Sequence, residues 1–70
     1  MVQLAMAGVG EKVVIRKIAG SEKIRQRLAE LGFVVDEEVT IMSASCGNLI
    51  VKVKDARLAV GMDMANKIFV

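Results

Sequence analysis

The sequence predicts a mainly β fold: a small closed barrel of about five short strands, with one α-helix inserted between the second and third. Three observations carry that prediction. In the second half, Leu49, Val51 and Val53 alternate with Ile50, Lys52 and Lys54, the period-two pattern of a half-buried strand. Only one segment, Ser21 to Leu31, has helical spacing together with a start and a stop signal. The chain has 70 residues, which makes one domain spanning residues 1–70, and closing a sheet this small on itself is the physical way to avoid exposed edges.

Taken in order, Val2 to Met6 is a short apolar opening, closed by Gly8 and Gly10. Lys12 to Ile18 reads as a strand from its β-branched content. Val13 and Ile15 share one face, but Ile18 lies three residues on, so a bulge or sharp bend near Arg16-Lys17 is expected to return it to the interior. Ser21 can cap the helix by accepting an amide hydrogen of the first turn, and Glu22 suits the positive end of the helix dipole. Ile24, Leu28 and Leu31 recur at i, i+4 and i+7 as an apolar stripe; Lys23, Gln26 and Glu30 point away from it. Gly32 stands where a left-handed residue ends a helix, and Phe33 follows in position to pack back on Leu28.

The remainder is expected to be strands. Val39 to Ser45 is one, with Val39 and Ile41 on the same side. Cys46-Gly47-Asn48 is a tight turn, since Gly and Asn both tolerate positive φ. The strand of Leu49, Val51 and Val53 follows, then a turn at Asp55-Ala56 and a short strand from Arg57 to Val60 with Leu58 and Val60 inward. Gly61-Met62-Asp63 opens a single helical turn through Ala65, and Ile68 to Val70 closes as a last strand.

Composition narrows the chemistry. A domain this short needs a staple, an oligomer or an unusually apolar interior. Cys46 is the only cysteine and there is no histidine, so a disulfide and the usual zinc sites are excluded. The interior must then be apolar, and 54% of the residues are; a homodimer is a further source of stability. No apolar run approaches the ~20 residues of a membrane-spanning helix, the N-terminus does not read as a signal peptide, and a lone thiol suits a reducing compartment. A cytoplasmic location is expected. The net charge is +2, unevenly placed. Lys12, Arg16, Lys17, Lys23, Arg25 and Arg27 fall in a stretch whose only acid is Glu22, a polarity that could steer an acidic partner or could simply solvate a strand and a helix.

No catalytic set is visible. Nucleophile–histidine pairs are ruled out by composition, no phosphate-cradling Gly-x-x-x-x-Gly-Lys occurs, and Glu37-Glu38 would lie on opposite faces of a strand. The chain is expected not to be an enzyme. Cys46 is a soft ligand in principle, but one thiol with Met42 nearby makes a poor site, and the methionines suit core filling. Nucleic acid is not expected either, because single-strand binding uses aromatic platforms and only Phe33 and Phe69 are aromatic.

Several of these features occur together in one known family. Gly10-Glu11 precedes the strand Val13-Val14-Ile15. Arg27-Leu28-Ala29-Glu30-Leu31-Gly32-Phe33 follows. Then come the hairpin Gly47-Asn48-Leu49-Ile50-Val51-Lys52-Val53, the segment Arg57-Leu58-Ala59-Val60 and the ending Ala65-Asn66-Lys67-Ile68-Phe69-Val70. Over nearly its whole length the chain resembles the FeoA family of bacterial ferrous iron transport, an SH3-like domain also found at the C-terminus of some iron-dependent repressors. The Arg-Leu-x-Glu-Leu-Gly-Phe string is the specific element; the hairpin and the ending add specificity in combination with it. Two turn positions depart from the family pattern: Val35-Asp36 stands where Pro-Gly is common, and Asn48 where a Pro is common.

The resemblance implies a cytoplasmic module that acts with FeoB, a membrane permease with a G-protein domain, without itself entering the membrane. It places partner binding on the helix and its exit loop, with Arg25, Arg27 and Glu30 supplying charge and Leu28, Leu31, Gly32 and Phe33 shaping the surface. For Leu28 and Leu31, core packing is the favoured role. The resemblance also implies a second reading, a metal-responsive regulatory domain like those of the repressors. No ligand set can be carried over to this sequence, so no metal or cofactor site is assigned; association with Fe²⁺ would come through the transport pathway.

Overall fold

The computed structural model describes all 70 residues, Met1–Val70. A 3₁₀ turn over Leu4–Met6 precedes β1 (Lys12–Val14), β2 (Lys17–Ile18), α1 (Glu22–Glu30), β3 (Glu38–Ser45), β4 (Asn48–Val53), β5 (Ala56–Gly61), α2 (Met62–Ala65) and β6 (Ile68–Phe69). The inserted helix lies between the second and third strands, as the sequence predicts.

The strand expected over Lys12 to Ile18 is in fact two. Its bend falls at Ile15-Arg16, and two consecutive amides show what it does. The Ile15 amide donates to the Glu37 carbonyl at 2.9 Å, beside the first sheet, whereas the Arg16 amide donates to the Phe69 carbonyl at 2.7 Å, in the second. The chain thus leaves one sheet and enters another within one residue, with the Ile15 side chain wholly buried at the corner.

That corner corrects the expected closure of the barrel, while the mainly β fold of about five strands with one inserted helix is borne out. There are six strands in two sheets, a four-stranded sheet in the order β1-β3-β4-β5 and a two-stranded pair β2-β6. All neighbours are antiparallel. The ring is not closed by hydrogen bonds; the sheets face each other across a shared apolar core instead. A shift of register between Ile41 and Ser43 leaves Met42 unpaired and bends β3, the usual consequence of a bulge.

The core holds 12 side chains, from Leu4, Ile15, Leu28, Phe33, Val39, Ile41, Leu49, Val51, Val53, Val60, Ala65 and Ile68. They come from both sheets, both helices and the 3₁₀ turn. The alternation of Leu49, Val51 and Val53 and the pairing of Val39 with Ile41 hold as read from the sequence. So do the turn at Gly47 and the short α2. The chain is held at its extremities as well, where Val2 and Val70 exchange both backbone hydrogen bonds, at 3.1 and 2.8 Å.

Candidate functional site

The helix that carries the candidate residues is fixed at both ends by local chemistry. The Ser21 hydroxyl accepts a hydrogen bond from the Ile24 amide at 3.3 Å, which satisfies one of the orphan donors of the first turn. At the other end the Phe33 amide donates to the Leu28 carbonyl at 2.9 Å and the Gly32 amide to the Ala29 carbonyl at 3.0 Å. This pair of bonds is the Schellman arrangement, and it requires a left-handed residue between helix and exit. Gly32 supplies it, with φ +105°. The reversal sends Phe33 into the core beside Leu28, both fully buried.

The exit loop then makes a second sharp turn. The Glu37 amide donates to the Val34 carbonyl at 3.1 Å and Asp36 has φ 76°. Positive φ at the third of four residues is the mark of a type II turn, which favours Pro-Gly at its centre. Val35-Asp36 occupies that centre here. The Asp36 amide donates to the Ile15 carbonyl at 2.8 Å, tying the loop to the corner between the sheets. Val35-Asp36 thus forms, with other residues, the kind of turn that Pro-Gly favours.

The seven candidate residues divide by exposure. Arg25, Arg27 and Glu30 are exposed on the solvent side of α1. Leu28 and Phe33 are interior and shape the surface only from beneath, and Gly32 is half-buried. Leu31 departs from the expected stripe. It is 44% exposed, because the helix ends one residue earlier and Phe33, not Leu31, enters the core after the reversal. Lys23, Gln26, Arg27 and Glu30, at successive turns of α1, line the surface hollow of the molecule, an open depression with no apolar wall. Only Lys12 and Glu38 form an ion pair, at 3.9 Å, so the charges along α1 are free for a partner.

Beyond Leu31, Val34 and Val35 also stand exposed, at 41% and 52%. With Leu31 they form an apolar shoulder on the exit of a charged helix. Reasoning from the sequence reached the loop but not these two side chains. The available signal was two β-branched residues between a helix-ending glycine and an acidic run, where no periodicity calls for burial. Cys46 lies exposed in the β3–β4 turn, and no group of three His, Cys, Asp or Glu side chains is close enough to hold a metal ion. Such a surface can dock a macromolecule through charge and apolar contact; it has no convergent set of reactive groups.

The fold and this surface define a class: a small SH3-like domain with a helix inserted before the long hairpin. The Stenotrophomonas maltophilia FeoA complexed with zinc, described as an SH3 domain protein, superposes with a TM-score of 0.86 at 26% identity over 100% of this chain and 89% of that one. The FeoA domain model matches residues 2–70, and the chain belongs to that family. A Methanocaldococcus jannaschii protein provisionally named Fe(2+) transport protein A is 31% identical over 70 residues, covering 100% of this chain and 85% of that protein. A crystal structure of an iron uptake regulatory protein, FeoA, has a TM-score of 0.88 at 28% identity, covering 96% and 89% of the two chains. A manganese-dependent transcriptional repressor shares the fold alone, with a TM-score of 0.90 at 20% identity over 39% of its length. No helix here is long and apolar enough to cross a membrane.

Proposed function

We propose that this chain is an accessory protein of ferrous iron transport that docks, on the cytoplasmic side, onto a FeoB-type permease and modulates it. The observation that carries the reading is the juxtaposition on α1 and its exit. Unpaired charges at Lys23, Arg25, Arg27 and Glu30 border an exposed apolar shoulder of Leu31, Val34 and Val35. Family membership supplies the transport context, and the surface supplies a means of binding. Apolar anchors surrounded by charge are what protein interfaces use, the apolar part for affinity and the charge for steering and register.

The test is a pull-down of the permease's soluble domains with the intact chain, in the GDP- and GTP-bound states. Binding in at least one state, lost with Leu31→Asp and weakened with Arg27→Glu, is the expected result. Failure to bind in any nucleotide state, with variants and parent equally folded, removes the proposal. The metal-responsive alternative rests on the fold shared with the repressors and on the zinc complex of one relative. It predicts stoichiometric metal binding by this chain alone, and titration calorimetry with Fe²⁺ or Mn²⁺ distinguishes the two.

A further inference from the structure

The four-stranded sheet has two edges, and they are not equivalent. At one edge β1 is three residues long and carries Lys12, the short, charged form in which natural sheets blunt an edge. At the other edge β5 runs six residues, Ala56–Gly61, and pairs only with β4. Its backbone parity can be read from its ends. The tight turn at Lys54-Asp55 makes Val53 and Ala56 the closing pair, and the Met62 amide donates to the Gly47 carbonyl at 3.1 Å. The even-numbered residues of β5 therefore bond to β4, and the odd-numbered ones turn their amides and carbonyls outward. Arg57 and Ala59 are the exposed residues of that outward set, and their outward backbone groups find no partner in another element.

The side chains at this edge have a definite chemistry. Residues directly opposite across strands share a face, so the registers Lys12↔Thr40, Thr40↔Lys52 and Lys52↔Arg57 place three cations in one row across the outer face. Glu38 offsets Lys12; Lys52 and Arg57, nearest the open edge, have no ion-pair partner. One step along the strands the row is Ser43, Ile50 and Ala59, less polar and with Ile50 half-buried.

We propose that the β5 edge receives an extended acidic segment of a partner protein as a fifth strand of this sheet. The added strand hydrogen-bonds to the outward groups of Arg57 and Ala59. It sets an acidic side chain beside Arg57 and Lys52 and, two residues along, a small apolar one beside Ala59 and Ile50. Backbone pairing supplies the affinity of such an addition, and alternate side chains supply its specificity. A second copy of this chain is the less fitting occupant, because pairing β5 with β5 brings two basic rows together with no acid between them. This surface lies on the opposite face of the sheet from the one Gly32 approaches, where a Cβ would meet Val53 at 3.4 Å, so it stands or falls independently of docking by α1.

Amide-resolved NMR of the intact chain, titrated with a blocked peptide of sequence Thr-Val-Glu-Val-Ala-Val-Thr, tests the proposal. Shift changes and slowed exchange are expected at the Arg57 and Ala59 amides. Arg57→Glu should weaken binding about tenfold, as the loss of one attraction and the gain of one repulsion. Ala59→Pro removes an outward donor without touching the β4 ladder and should abolish binding while its amide spectrum away from β5 stays that of the parent; Ala59→Thr, which keeps the amide, should retain binding. Three results overturn the proposal: no shift at β5 at millimolar peptide, equal binding of the same peptide with lysine in place of its glutamate, or a concentration-dependent dimer that Ala59→Pro dissolves.

Discussion

At the scale of single residues, two backbone conformations carry most of the local information. Gly32 has φ +105°, and Gly32→Ala should cost about 1 kcal/mol or somewhat more, because a Cβ is disfavoured there whatever the space around it. A fall in melting temperature of roughly 4–8 °C is the corresponding signal in a domain of this size. Asp36 is the mirror case. It holds φ 76° with a side chain, and its carboxylate makes no hydrogen bond or ion pair that would be lost. Asp36→Gly relieves a left-handed penalty of about 1 kcal/mol and adds a chain-entropy cost of somewhat less than that. The net expectation is a small stabilisation of about 0.5 kcal/mol, seen as a higher urea midpoint with unchanged slope. The glycine was legible in the sequence because a glycine directly after an apolar helical stripe is the common way for a helix to end. The aspartate was not, since nothing in Val35-Asp36 itself distinguishes a type II turn from an open loop.

At the scale of elements, the helix shows how far periodicity reaches. Spacing located α1 and its cap correctly: the Ser21 hydroxyl meets the Ile24 amide, and Ser21→Ala should cost about 1 kcal/mol by thermal melt. Spacing failed at Leu31 because an angle on a helical wheel says which way a residue points, not whether anything lies opposite it. Once Gly32 reverses the chain, Phe33 enters the core and Leu31 is left on the surface. The charged side of the same helix should behave oppositely to its cap. Arg27→Glu is expected to leave the melting temperature within the change produced by about 0.5 kcal/mol, as exposed substitutions do, while reducing capture of the permease domains. A variant that lost binding and stability together would point to a structural role for Arg27. The strands were legible in the same graded way. The alternation of β4 is clean because one face is core and the other solvent. The bulge at Met42 and the corner at Ile15-Arg16 interrupt alternation, and only the latter left a trace in the sequence, as the misplaced Ile18.

At the scale of the whole molecule, the absence of a hydrogen-bonded ring shifts the burden of cohesion onto side-chain packing between the sheets. Leu4 and Ile68, from the first and last parts of the chain, are both fully buried, and Val2 and Val70 pair through their backbones. The opening segment is therefore not an appendage but part of the core, which its brevity and its exposed neighbours Met1, Val2 and Met6 disguise in the sequence. The magnitude of this effect can be set against the stability available. A domain of this length has a total stability of roughly 4–10 kcal/mol, and truncating a buried leucine to alanine costs about 2–5 kcal/mol. Leu4→Ala should consequently remove about half of what holds the protein folded. Because Leu4 packs into the one core that both sheets share, the loss should be global: hydrogen exchange at the β3 and β4 amides should accelerate along with that at the first residues, and the urea midpoint should fall without a change of slope. If the 3₁₀ turn instead opened as an independent unit, the substitution would leave β3 and β4 protected and lower stability by less than about 1 kcal/mol, as local fraying does. A cooperative loss would establish that the six strands, though divided between two sheets, fold as a single body in which the N-terminal turn is a structural member.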